Sequence, residues 1–158
     1  MPLSGGRGDR VFFGTVTGMK PVARKSWVLL HVVTSVGWLG VTVGDLALAL
    51  SGFYRPLVVL ADFVVLPMGV GALVSGVVLS LGTKWGLVKH RWVLVKFVLT
   101  VVALVATFFA LRSGVRDAAD GVAGAGADVL VACCVSLTLY LVNTALSVFK
   151  PWGRTRWG

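Results

Sequence analysis

Four long apolar runs constrain this chain more than any other feature. They cover about residues 27–50, 56–81, 92–111 and 127–149. A bilayer's hydrocarbon core is about 30 Å thick, and an α-helix crosses it in about 20 residues. Each run is long enough to cross, and none shows the alternation of a barrel strand. A soluble domain carries roughly 25% charged residues, whereas this chain of 158 residues has 13%, with 57% hydrophobic. A water-soluble fold with that balance would expose large apolar patches and aggregate. The sequence therefore excludes a soluble enzyme, a disordered tail and a secreted disulfide scaffold. It predicts an all-α integral membrane four-helix bundle over residues 26–149, with a basic leader at 1–25 and a basic tail at 150–158.

Net charge is +9, with fifteen Lys and Arg against six acidic residues, all Asp. In a soluble protein that excess would point to nucleic acid. Here the basic residues lie between the apolar runs, so they act as orientation signals and no nucleic-acid partner is expected. Arg7, Arg10, Lys20, Arg24, Lys25, Lys84, Lys89, Arg91, Lys150, Arg154 and Arg156 place eleven on one side; Arg55, Arg112 and Arg116 place three on the other. The bias predicts both termini in the cytoplasm. Trp27, Trp85, Trp92, Trp152 and Trp157 fall near the same ends, as an interfacial aromatic belt would. The leader has no cleavage site of a signal peptide. The third loop, RSGVRDAADGVAGAGAD, reads as small, polar and flexible. Adjacent Cys133 and Cys134 are badly placed for a mutual disulfide and are expected as free thiols.

Polar residues inside the runs recur at helical spacing. His31, Ser35, Trp38, Thr42 and Asp45 make one stripe in the first run. Lys96, Thr100, Ala103 and Thr107 make another in the third, and Ser136, Tyr140, Asn143 and Ser147 one in the fourth. In the second, Asp62, Gly69 and Gly76 are seven apart, with small residues that allow close helix approach. Counting depth along antiparallel helices puts His31, Lys96 and Asn143 in an inner layer. It puts Asp45 and Asp62 in an outer polar layer roughly 20 Å away.

Ionisable residues within membrane spans mark functional sites. His31 is a candidate ligand for haem iron or a transition metal, or else a hydrogen-bonded structural histidine. Lys96 is a candidate second ligand or propionate partner, or a snorkelling lysine. Asp45 and Asp62 are candidates for cation binding or proton relay, or else pair with Arg55 or Arg112. Trp38 lines a cofactor pocket or packs the core. Pro67 is expected to kink the second span. No Walker loop, HExxH or paired CxxC is present, and GVGALVSG only superficially imitates a glycine fingerprint.

LHVVTSVGWLG in the first span reads as His, six residues, Trp, any residue, Gly; WGLVKHRWVLVKFVLTV leads to Lys96 in the third. This pair resembles a superfamily of small bacterial membrane proteins that includes the copper-resistance D family. It also resembles the haem-containing protoporphyrinogen oxidase of the J type. The tail KPWGRTRWG is similar to that of a four-span bacterial family of unassigned activity. The resemblance implies a multi-pass protein of the bacterial cytoplasmic (inner) membrane that binds haem b through His31 and Lys96. Ser35, Trp38, Tyr140 and Asn143 would line the pocket, and redox chemistry would act on a quinone or another lipophilic molecule. Copper is the alternative cofactor, in a copper or small-solute permease component. A third reading is a non-catalytic subunit of a larger membrane complex or a homo-oligomer. The sequence departs from the oxidase pattern after Trp38, where VTVGDLALAL follows, and it carries only Met68 as a span methionine. No catalytic residue is assigned.

Overall fold

A computed structural model describes residues 19–82 and 90–150. The leader through residue 18, the second loop with Lys84, Trp85 and Lys89, and the tail with Trp152, Arg154, Arg156 and Trp157 lie outside the described residues. Four helices carry the rest: α1 Pro21–Leu50, α2 Tyr54–Gly82, α3 Arg91–Ala119 and α4 Ala125–Phe149. All four are long and apolar enough to cross a membrane. Their outer faces are the opposite of a soluble surface, with Val36, Phe63, Phe109 and Val131 exposed. Such faces suit lipid contact, and helices satisfy their own backbone groups there.

α1 begins with Pro21 in its first turn, where a missing N–H costs nothing. α3 continues eight residues past Leu111, through the RSGVRDAA stretch expected to be a loop. That extension is held by Val115 and Ala118, which pack with Leu57 and Val129. The α3–α4 link is accordingly short. It turns at Gly121 and Gly124, whose φ values of 80° and 84° lie in the left-handed region.

α1 packs on α2 and α4, and α3 packs on the same two helices. α1 and α3 thus occupy opposite corners. The interior divides into two apolar clusters. Ala49, Leu57, Leu111, Val115, Ala118, Ala125, Val129 and Cys133 form the first; Trp38, Val65, Ala72, Ala103 and Tyr140 form the second. Reading each helix from one cluster to the other crosses Thr42 and Asp45 on α1, Ala61 on α2, Thr107 on α3 and Ser136 on α4. All five are buried, so a polar layer separates the two apolar ones.

Both π-turns of the molecule's described residues, Ala61–Val65 and Thr107–Leu111, begin in that layer. Their cause is visible in the spacing. Leu57, Ala61, Val65 and Gly69 are buried at steps of four, as are Ala103, Thr107, Leu111 and Val115. Each such step overshoots an α-turn by about 40°. A wider turn takes up the drift and keeps the residues on one face. In α2 the wide turn ends just before Pro67, which has no N–H to donate to the preceding turn.

Candidate functional site

α1 and α2 meet closely because α2 offers glycines to α1's larger side chains. A Cβ on Gly71 would lie 2.8 Å from Thr34 Cγ2, and one on Gly69 2.8 Å from Trp38 Cζ2. One on Gly76 would lie 3.2 Å from His31 Cε1. The GVGALVSG stretch is therefore the bed on which α1 lies, a use of small residues common in membrane helices.

The His31 ring packs against that bed. Its Nδ1 lies 3.1 Å from the Ala72 carbonyl and 3.0 Å from Ser75 Oγ. The Ser75 hydroxyl is already donated to the Gly71 carbonyl at 2.6 Å. A carbonyl only accepts, so Nδ1 carries the proton and donates it to both oxygens. In the neutral ring Nε2 then keeps its lone pair. Lys96, on the opposite corner helix, comes within electrostatic reach of this ring. Its Nζ donates to Ser147 Oγ on α4. Beside it Asn143 Nδ2 donates to Thr100 Oγ1 at 3.0 Å, while Asn143 Oδ1 is buried with no hydrogen-bond partner. Residues singled out by spacing on three helices, His31, Lys96 and Asn143, thus occupy one end of the bundle. Ser35 is half-buried further along α1.

Trp38 packs on Tyr140 with ring centroids 4.4 Å apart and planes tilted by 40°. Trp38 Nε1 is buried and finds no acceptor. Beyond the rings lies the Asp45 layer. Asp45 is 2% exposed, and its Oδ1 has no hydrogen-bond partner. Thr107, 1% exposed, likewise leaves Oγ1 unpartnered. The Thr42 hydroxyl donates to the Trp38 carbonyl at 2.9 Å, which turns its lone pairs outward. The Tyr140 hydroxyl faces the hydroxyls of Thr42, Thr107 and Ser136, and Asp45 lies within electrostatic reach of Tyr140 and Cys133.

Asp62 adjoins Ala61 of the Asp45 layer but lies off the buried face of α2, and it takes Arg112, one of the partners the sequence reading offered. Asp62 points to α3, where Arg112 Nε donates to one carboxylate oxygen and Arg116 Nη2 donates to the other at 2.8 Å. Arg112 also lies over the Phe108 ring, 5.3 Å from its centroid. The reason is the length of α3: its polar extension carries two arginines back over α2. Gly69 and Gly76 do face α1, but the face of α2 turned inward is Leu57, Ala61, Val65, Gly69, Ala72 and Ser75.

Two shallow apolar grooves, of about 250 and 240 Å³, lie on α4 and between α3 and α4 respectively. Cys134, Val135, Thr138 and Leu139 line the first; Ala106, Asp128 and Ser136 are among those lining the second. His31 and Lys96 line neither. Among the described residues no three His, Cys, Asp or Glu side chains come together to hold a metal ion. Cys133 is buried, Cys134 is exposed, and both are free thiols. Spacing found the polar seams but missed Thr34, the Ala72 carbonyl, Ser75's role and Arg116. The signal for the first three was the small-residue bed opposite His31.

No protein-family model, curated protein or solved structure matches this chain.

Proposed function

We propose that the chain is a multi-pass protein of the bacterial cytoplasmic membrane, with both ends in the cytoplasm, that holds haem b at the His31 end of its bundle. His31 would hold the iron, and Lys96 would be a second ligand or the partner of a propionate. The His31 imidazole carries this reading. Its Nδ1–H is fixed on the Ala72 carbonyl and Ser75 Oγ, and its Nε2 is left as a donor. Ligating histidines are oriented in this way by an acceptor at the other nitrogen. The donor chemistry fits haem iron, which takes neutral nitrogen ligands. Trp38 Nε1 and Asn143 Oδ1, buried without partners, are the polar groups left over for a bound molecule in the same interior. The grooves described above lie elsewhere, so the support is the donor set and its orientation rather than an open cavity.

When bound, haem supplies one-electron chemistry. The chain's part is to hold the iron, keep water out through the Trp38–Tyr140 pair, and offer apolar outer faces to a quinone or other lipophilic partner. The test is an oxidised and dithionite-reduced absorption spectrum of the full chain, purified in detergent from a haem-replete host. A Soret band with reduced α and β bands, lost in His31→Ala, is expected. A folded protein without a chromophore would sink the reading.

A further inference from the structure

The Asp45 layer has no part in the haem reading, and among the described residues it holds two of the four buried polar side-chain atoms without a hydrogen-bond partner. A carboxylate removed from water is costly unless a cation or hydrogen bonds offset it. Asp62 has two arginines, whereas no hydrogen bond or ion pair from the described residues reaches Asp45. The other polar groups of its layer are oxygens. The Tyr140 hydroxyl, within electrostatic reach of Asp45, faces the hydroxyls of Thr42, Thr107 and Ser136 from three helices, and Thr107 Oγ1 is itself without a hydrogen-bond partner. The Cys133 thiol also lies within electrostatic reach of Asp45, and the buried residue of α2 at this depth is Ala61. His31 and Lys96 lie on the far side of the Trp38–Tyr140 pair.

We propose that this layer binds one alkali-metal cation, sodium or potassium, on the Asp45 carboxylate. Hard cations take oxygen ligands, and this set is hydroxyl and carboxylate oxygen. The layer holds a single negative charge, which matches a monovalent ion. The Thr42 hydroxyl, with its hydrogen on the Trp38 carbonyl, presents lone pairs as a cation ligand must. Both π-turns start in this layer. In membrane helices such irregular turns occur where the backbone is buried in protein, frequently at functional sites. A proton alone would need one oxygen; this layer leaves two without a partner, Asp45 Oδ1 and Thr107 Oγ1, beside a cluster of hydroxyls from three helices.

The test is thermal unfolding of the full chain in detergent at pH 8, in sodium, potassium or choline chloride of equal ionic strength. Sodium or potassium should raise Tm over choline by about 4 °C or more, and saturably. The rise should vanish in Asp45→Asn, need several-fold more cation in Thr107→Val, and persist in Asp62→Asn. Equal Tm in all three salts would overturn the proposal. So would an undiminished response in Asp45→Asn. Should Asp45→Asn fail to fold, binding of radioactive sodium or rubidium to the wild type decides: about one saturable ion per chain supports the site, and none refutes it. None of these readouts involves a chromophore, so failure here and failure of the haem reading are distinguishable.

Discussion

Asp45 and Asp62 are the same side chain on neighbouring helices, and the fold treats them in opposite ways. Asp62 is 20% exposed and answers two arginines. Asp45 is 2% exposed and answers none. The difference comes from the helices opposite. α3 runs past the apolar span and carries Arg112 and Arg116 over α2, so Asp62 has cations at hand. The layer of Asp45 offers threonine, serine and tyrosine hydroxyls grouped about Tyr140, which can solvate a charge but not neutralise it. One acid fastens two helices; the other is buried in the interior without a partner among the described residues. The sequence put both in one layer with Arg55 or Arg112 as alternative partners, and Asp62 takes Arg112.

The comparison breaks most severely if the wall between the Asp45 layer and the His31 end is removed. Trp38 packs on Tyr140 and is seated on Gly69. Trp38→Ala should cost roughly 3–5 kcal/mol through the cavity it leaves, read as a shift in reversible detergent unfolding. It should leave the Asp62 pair intact, so a crosslink between α2 and α3 engineered beside it would still form. Overpacking the same seam is milder. A Cβ on Gly69 would meet Trp38 at 2.8 Å and Leu104 Cδ1 at 2.9 Å, so Gly69→Ala should cost about 1–3 kcal/mol. If Gly69→Ala were neutral, α1 and α2 would not be in the close contact described.

Next in size is a contrast of sign. In choline buffer Asp62→Asn should lower Tm, because it leaves two arginines facing a neutral amide. Asp45→Asn should leave Tm unchanged or raise it, within about 1 kcal/mol, because it removes a buried acid that has no partner. A fall of similar size in both variants would erase the distinction between the two sites.

Much of this was legible in the sequence. The four spans follow from apolar run length, and Trp38, Thr42 and Asp45 were placed on the buried face of α1 by spacing alone. The inward face of α2 was read from a seven-residue repeat of Asp62, Gly69 and Gly76, and Asp62 does not belong to it. The π-turn at Ala61–Val65 resets the helical phase there, and nothing in the run ADFVV announces it. The end of α3 was hidden for a different reason. Hydropathy ends at Leu111, but Val115 and Ala118 keep the helical spacing and bury themselves on the α2 and α4 ends. Packing extends a polar helix where polarity alone suggests a loop. The hydrogen-bond partners of His31 were invisible because one of them is a backbone carbonyl, which any residue supplies.

The smallest effect separates the two aspartates by their access to solvent ions. Arg116 is nearly half exposed, with 47% of its side chain accessible. Ions at 0.5 M screen charges beyond a few ångströms, and exposed ion pairs weaken with salt. Raising choline chloride from 0.05 to about 0.5 M should therefore shrink the Tm penalty of Asp62→Asn. Choline is too large to enter a layer closed between two apolar clusters, so the same titration should leave the Asp45→Asn difference untouched. Parallel salt curves for the two variants would mean that Asp45 is reached by solvent after all, and its missing partner would then be water.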